Sequence, residues 1–408
     1  MKFMNNRTSH NFLTALCMAA LLVFPFHTAA EALPPVEGRR ANTAYAPAFP
    51  DQTRAPGIKT QTPYEAELVA EGLQGPWGMA AMPDGRILIT QKSGSLRIVS
   101  PGGQVSGAIT GFPPLAAEGQ GGLLDLALYP DFEQTRLVYF TLSERAQSGS
   151  VTALGRGRLN EAEDMVEDFE ILYRALPYHT SAGHFGSRVV IDSGGLIYLS
   201  TGDRQSNQTR GNAQKPDNGH GKILRLTPDG QPAPGNPFLG VPDAIPELYS
   251  LGHRNVQGMD IDQRSGDVWI SEMGPRGGDE LNLIRPGLDY GWPAVSYGIE
   301  YSGAPVGPGQ TAREGLEQPV YYWDPVIAPS GMAFYNADAM PEWQGNLFIG
   351  ALAGEHISRL VLEGGRVLYE ERLLSEESQR FRDILSHPDG SLYAVTDGGR
   401  LYRVGPVR

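Results

Sequence analysis

The sequence predicts an all-β chain closed into a six-bladed β-propeller, and three observations lead there. Its 408 residues include 51 Gly and 32 Pro, and no long stretch carries helical periodicity. Such a chain favours short strands joined by tight turns. A unit made of an apolar strand, a turn of Pro-Asp-Gly type and a second alternating strand recurs along it. Finally, a lone hairpin cannot bury both faces, so the copies must assemble, and a ring leaves only short edges. A pair of β-sandwiches is the alternative the same hairpins allow.

At the start, Lys2 and Arg7 supply positive charge, and residues 12–26 form an apolar run short for a membrane span. Thr28-Ala29-Ala30 offers small residues for cleavage before Glu31, so residues 1–30 read as a secretory signal. His27 and the small residues argue against a retained anchor helix. Leu16, preceding Cys17, argues against a lipoprotein. The only Cys lies inside this segment, so the mature chain would have no disulfide and would be stabilised by burial alone. A periplasmic or secreted protein follows, with no membrane span after cleavage, as monomer or homodimer. The net charge of -13, more negative once Lys2 and Arg7 are removed, disfavours a nucleic-acid partner. Residues 31–62, rich in Pro, Ala and Thr, read as an extended leader or surface wrap, and residues 63–408 as the propeller.

The six hairpins come in order. Residues 77–90 turn at Pro83-Asp84-Gly85, residues 123–141 at Tyr129-Pro130-Asp131, and residues 186–201 at Asp192-Ser193-Gly194-Gly195. Residues 258–271 turn at Arg264-Ser265-Gly266-Asp267, residues 331–351 at Trp343-Gln344-Gly345, and residues 382–396 at His387-Pro388-Asp389-Gly390. Each turn holds residues that tolerate special backbone angles, between strands of period-two alternation. Ring closure would gather loops from several blades at one end of a central channel.

Polar groups collect at those strand entries. His184 precedes the strand 189–191, and Asp203 follows the next strand; side by side, the carboxylate would fix the imidazole tautomer of a general base, or the two form a structural hydrogen bond. Leu251-Gly252-His253-Arg254-Asn255 sets a guanidinium beside an amide, able to hold carboxylates or quinone oxygens, or to tie two blades together. Gly274-Pro275 adds carbonyls near Asp279 and Glu280, an oxygen set that suits calcium, although the carboxylates could instead cap a turn. Gln120 lies in a Gly-rich turn entering the second blade. Arg380 and Arg382 share one face of a strand entering the last, where they would suit an anion or remain solvated.

The ordered runs Gly119-Gln120-Gly121-Gly122-Leu123-Leu124, His184-Phe185-Gly186-Ser187-Arg188, Leu251 to Asn255, Glu272-Met273-Gly274-Pro275, Asp289-Tyr290-Gly291-Trp292-Pro293 and Arg380-Phe381-Arg382-Asp383 resemble a known family. It is the soluble, pyrroloquinoline-quinone (PQQ)-dependent glucose and aldose sugar dehydrogenases, also labelled sorbosone dehydrogenase-like, and the chain looks closer to the aldose branch. The resemblance implies His184 as general base, Asp203 as its orienting carboxylate and Arg254 as stabiliser of developing charge. It implies quinone contacts from Gln120, Arg254, Asn255, Tyr301, Arg380 and Arg382. Gly274 and Pro275 match carbonyls of a catalytic Ca²⁺, and Glu280 and Tyr290 match ligands of a structural one. The reaction so implied oxidises the sugar C1 hydroxyl to a lactone, with electrons leaving to an unidentified acceptor. Two positions depart from the pattern: Ala353 stands where the family usually has a cofactor-pairing Lys, with His356 a nearby candidate to compensate, and Val326 stands where the glucose branch has a hydroxyl residue. A calcium-dependent propeller lactonase or esterase and a non-catalytic sugar- or protein-binding propeller are the competing classes.

Overall fold

Six antiparallel sheets follow one plan in the computed structural model, which describes residue 1 and residues 32–407. Beyond Met1, the signal segment expected over residues 1–30 lies outside the described residues. The innermost strands are Pro76–Ala81, Leu123–Leu128, Gly186–Ile191, Val256–Asp262, Pro329–Phe334 and Phe381–Ser386, opening blades 1 to 6 in that order. Each touches the next, and the last touches the first, so they line a closed channel. Every expected hairpin is the inner pair of strands of one blade. Blade 6 is completed by the N-terminal strand Tyr64–Ala70, which pairs with Leu401–Pro406 and ties the two ends of the ring together.

The core is divided into six apolar wedges, one between each pair of neighbouring blades. Period-two alternation makes this division. In blade 1, Leu88 packs toward blade 2 while Ile87 and Ile89 pack toward blade 6. Tyr198 and Trp269 likewise face the following blade while their strand neighbours face the preceding one. With both faces covered, these strands are apolar throughout.

Polar side chains stitch the blades together where they meet the channel. Carboxylates on inner strands accept main-chain N–H groups of the next blade: Asp125 from Val189, Asp260 from Phe334 and Asp383 from Met79, at 2.7–2.9 Å. Hydroxyls on second strands donate the other way, Thr141 to the Ser187 carbonyl and Ser271 to the Ser330 carbonyl. In all six blades the register between first and second strand slips at this same end. Such bulges redirect side chains and terminate pairing. Arg188, Gln257 and Arg382 all fall within these slips.

Residues 32–62 lie along blades 4 and 5. Asn42 and Thr43 donate to the Asp324 carboxylate, Thr60 to Glu371, and Gly57 bridges Leu33 and Glu370.

Candidate active site

At the end of the channel where inner strands begin and second strands finish, His184 Nδ1 lies 2.7 Å from Asp203 Oδ1, with both residues buried (4% and 2% exposed). His184 stands just before the inner strand of blade 3, and Asp203 just after that blade's second strand. The hairpin turns them toward each other. His184 has a left-handed backbone (φ 47°), a conformation costing about 1–2 kcal/mol outside glycine. Its N–H donates to Gln120 Oε1 at 2.8 Å, which holds the strained residue in place. Buried Arg204 braces the same loop from below, donating to carbonyls of Ser150, Ser181 and Gly183 while stacking on Phe185. Gly186 also takes positive φ, and a Cβ there would strike the Thr201 backbone at 2.5 Å, so the two strands approach closely only because glycine is present.

Asp203 has three donors. Besides His184, Gln205 N–H gives to Oδ1, and the Trp292 indole Nε1–H gives to Oδ2 at 2.8 Å. Burial pushes the Asp203 carboxyl up, but the His184 hydrogen bond and the charges of His184 and Arg254 outweigh it and hold it below the usual value. Burial first, and the Arg254 guanidinium second, hold His184 below the ordinary 6.5 against the opposing pull of Asp203. The imidazole is therefore neutral at neutral pH, with its proton on Nδ1 toward the carboxylate and Nε2 free as a base.

Arg254 N–H donates to Glu272 Oε2 at 2.6 Å, and its Nη1 donates to the carbonyls of Met273 and Gly274, both at 2.7 Å. The guanidinium lies 5.1 Å from the Trp292 ring, and its Nε is buried without a partner. His253, next in the motif, has a different task. It is fully buried between Ser250 and Glu272 and stacks on Tyr290. Asn255 Oδ1 accepts from Gly186 N–H, while the nearest acceptor for its own amide hydrogens is Met273 Sδ at 3.8 Å. Gln257 connects this group to blade 6, accepting from Arg382 Nη1 at 3.3 Å. Arg380 and Arg382 reach the same Asp397 carboxylate; Arg380 is half exposed and Arg382 mostly covered.

A polar cavity of about 180 Å³ opens above these groups, lined by His184, Asp203, Arg254 and Trp292 below and by Asn207, Arg210, Glu300 and Tyr301 around its mouth. Tyr301 is 71% exposed. Arg210 pairs with Glu300 at 2.6 Å and sits 5.1 Å from Trp292. Trp292 belongs to the Asp289-to-Pro293 run, but its role comes from its indole hydrogen bond to distant Asp203. Arg210, Glu300 and Gln257 carried no signal at all, because each gains its meaning from a partner far away in the chain.

Glu280 and Tyr290 line a second space of about 10 Å³, together with Glu272, Gly274, Pro275 and Arg254. Glu280 is opposite Glu272 in the strand register. Burial, then the Glu272 charge, pushes its carboxyl well above the ordinary range. Asn282 donates to both carboxylates, while its own Oδ1 is buried without a partner. The Tyr290 phenol donates to the Leu283 carbonyl and accepts from Arg285 N–H, so only its main-chain carbonyl is available to a cation. Asp279 takes no part: its carboxylate accepts from the N–H groups of Gly274, Ile327 and Ala328 and fastens two loops together. His356 cannot stand in for a lysine at Ala353. It is 1% exposed, its Nδ1–H donates to the Gly354 carbonyl, and burial lowers its pKa to about 4, leaving it neutral.

The glucose/sorbosone dehydrogenase family model matches residues 73–403. The aldose sugar dehydrogenase YliI of Escherichia coli is 41% identical over 346 residues, covering 83% of this chain and 92% of that protein. The crystal structure of the soluble E. coli aldose sugar dehydrogenase in its apo form superposes with a TM-score of 0.80 at 40% identity, covering 85% of this chain and 100% of that one. The PQQ-bound aldose sugar dehydrogenase of Streptomyces coelicolor superposes with a TM-score of 0.69 at 29% identity, covering 85% of this chain and 99% of that one. Among the described residues no helix is long and apolar enough to cross a membrane. The chain belongs to the glucose/sorbosone dehydrogenase family.

Proposed function

We propose that this protein is a periplasmic quinoprotein that oxidises the C1 hydroxyl of aldose sugars to lactones, with PQQ as its hydride acceptor and Ca²⁺ beside it. The observation that carries the reading is the His184–Asp203 pair, its free Nε2 set in a cavity shared with the Arg254 guanidinium. PQQ is a flat tricarboxylate with oxygen acceptors, and the residues present suit it. The Arg254 Nε and the Asn255 amide have donors to spare, and Arg380 and Arg382 add positive charge. Calcium suits the oxygen set as well. The Pro275 carbonyl accepts no hydrogen bond among the described residues, and a cation beside buried Glu280, opposite Glu272, would favour its ionised form.

When bound, PQQ would supply a hydride-accepting carbonyl and Ca²⁺ would supply Lewis acidity. The chain's own groups do the rest. His184 Nε2 accepts the C1 hydroxyl proton, Asp203 stabilises the imidazolium that results, and Trp292 Nε1–H holds Asp203 in register. The Arg254 guanidinium, with its Nε unpartnered, would stabilise negative charge developing on an oxygen in this cavity. Gly274, Pro275, Glu280 and the Tyr290 carbonyl would hold calcium. Arg210, Glu300 and Tyr301 would meet the sugar at the mouth.

The test is reconstitution of the mature protein with Ca²⁺ and PQQ, followed by dye reduction with a panel of aldoses. Reduction that needs both additions and is lost in His184→Ala supports the reading. Lactone hydrolysis by calcium-loaded, quinone-free protein, with no dye reduction, would replace it with a hydrolase.

A further inference from the structure

Ala353 contributes only a methyl group where the family pattern expects a cation, and the buried, neutral His356 does not replace it. The ring offers another source. In blades 3, 4, 5 and 6 the residues one or two positions past the second strand are Asp203, Gly274, Ala353 and Asp397, all at the end of the channel where the site is built. The matching residue of blade 1 is Lys92, directly after the strand Ile87–Gln91. Its ammonium donates to the carbonyl of Gly119 at 2.7 Å, next to the Gln120 that holds His184. No other acceptor for it is present among the described residues.

Lys92 also lies within the field of Arg382 and Asp397 on blade 6. Burial, and then the Arg382 charge, lower its pKa, while Asp397 opposes them. Asp397 is the one carboxylate bonded to Arg380 and Arg382. Two guanidinium groups share this one carboxylate and Lys92 stands within its field, so positive charge exceeds negative among these four groups. A multiply anionic ligand would relieve that excess.

We propose that Lys92 is a direct ligand of a carboxylate of the bound quinone, supplying from blade 1 the charge that Ala353 does not supply from blade 5; this rests on the quinoprotein reading above. A compact ammonium on a flexible stem suits a carboxylate approached from one side.

PQQ titrated into calcium-loaded protein, read by quenching of Trp fluorescence, tests it. Lys92→Ala should weaken the quinone Kd by about 10–100-fold and flatten its salt dependence, whereas Lys92→Arg should stay within about threefold of wild type. The melting temperature of the quinone-free protein should be unchanged. Lys92→Gln, which keeps a donor for Gly119 without the charge, should bind as weakly as the Ala variant if charge is what matters. Unchanged affinity in both neutral variants, while Arg382→Ala binds weakly, would overturn the assignment. Wild-type protein that takes up no quinone would remove the functional reading itself, and the two failures are told apart by that arm.

Discussion

His184 depends on opposing influences. Burial and Arg254 keep it neutral, and Asp203 pulls the other way while fixing its tautomer. On the proposed mechanism His184 must be neutral to act as a base, so kcat/KM should rise with pH through a limb centred below the ordinary 6.5 and then level off. Asp203→Asn removes the group that raises the His184 pKa, so the limb should move to lower pH. At its plateau, activity should fall by about 10²–10⁴-fold through loss of the correct tautomer. Trp292→Phe keeps the aromatic face beside Arg254 but leaves Asp203 Oδ2 without its indole donor. Urea unfolding should then show a loss of about 1–3 kcal/mol, and kcat should fall more than KM rises. These partnerships were only partly legible. His184 and Asp203 could be paired because one hairpin joins them, whereas Trp292 lies 89 positions from Asp203 and nothing local links them.

At the scale of the element, the loop after the second strand of blade 4 brings Gly274 and Pro275 next to the Glu272–Glu280 pair. If calcium resides there, adding it at about 100 times its Kd should raise the unfolding free energy by about 2.7 kcal/mol. Glu280→Gln should lose that increment, which thermal melting with and without calcium will show. The inner hairpin of every blade could be read from turn chemistry and alternation. The outer strands could not: Tyr321–Trp323 follows a long irregular stretch, and Tyr64–Ala70 finds its partner only at the far end of the chain. The bulges that place Gln257 and Arg382 arise from pairing, which local pattern does not reveal.

For the whole molecule, closure depends on a few buried charges as well as on the apolar wedges. Arg188 of blade 3 pairs with Asp125 of blade 2 and Asp383 of blade 6, and donates to carbonyls of Gln257 and Arg382, so it ties four blades beneath the site. Arg188→Met would leave two buried carboxylates facing one another, at a cost of about 3–5 kcal/mol at neutral pH. Burial already pushes Asp383 up to about 7. An acid with a raised native pKa adds stability at low pH and loses it as pH rises through that value, so the variant's deficit should shrink on acidification. Denaturant unfolding at two pH values would show this. The central claim is that six blades bring one imidazole, several guanidinium groups and a cation around a single redox-active guest. Diffraction from crystals soaked with PQQ and Ca²⁺ tests it most directly. The account predicts quinone density between His184, Arg254 and Arg382 at the strand-entry end of the channel; an empty cavity there, or quinone bound elsewhere, would contradict it.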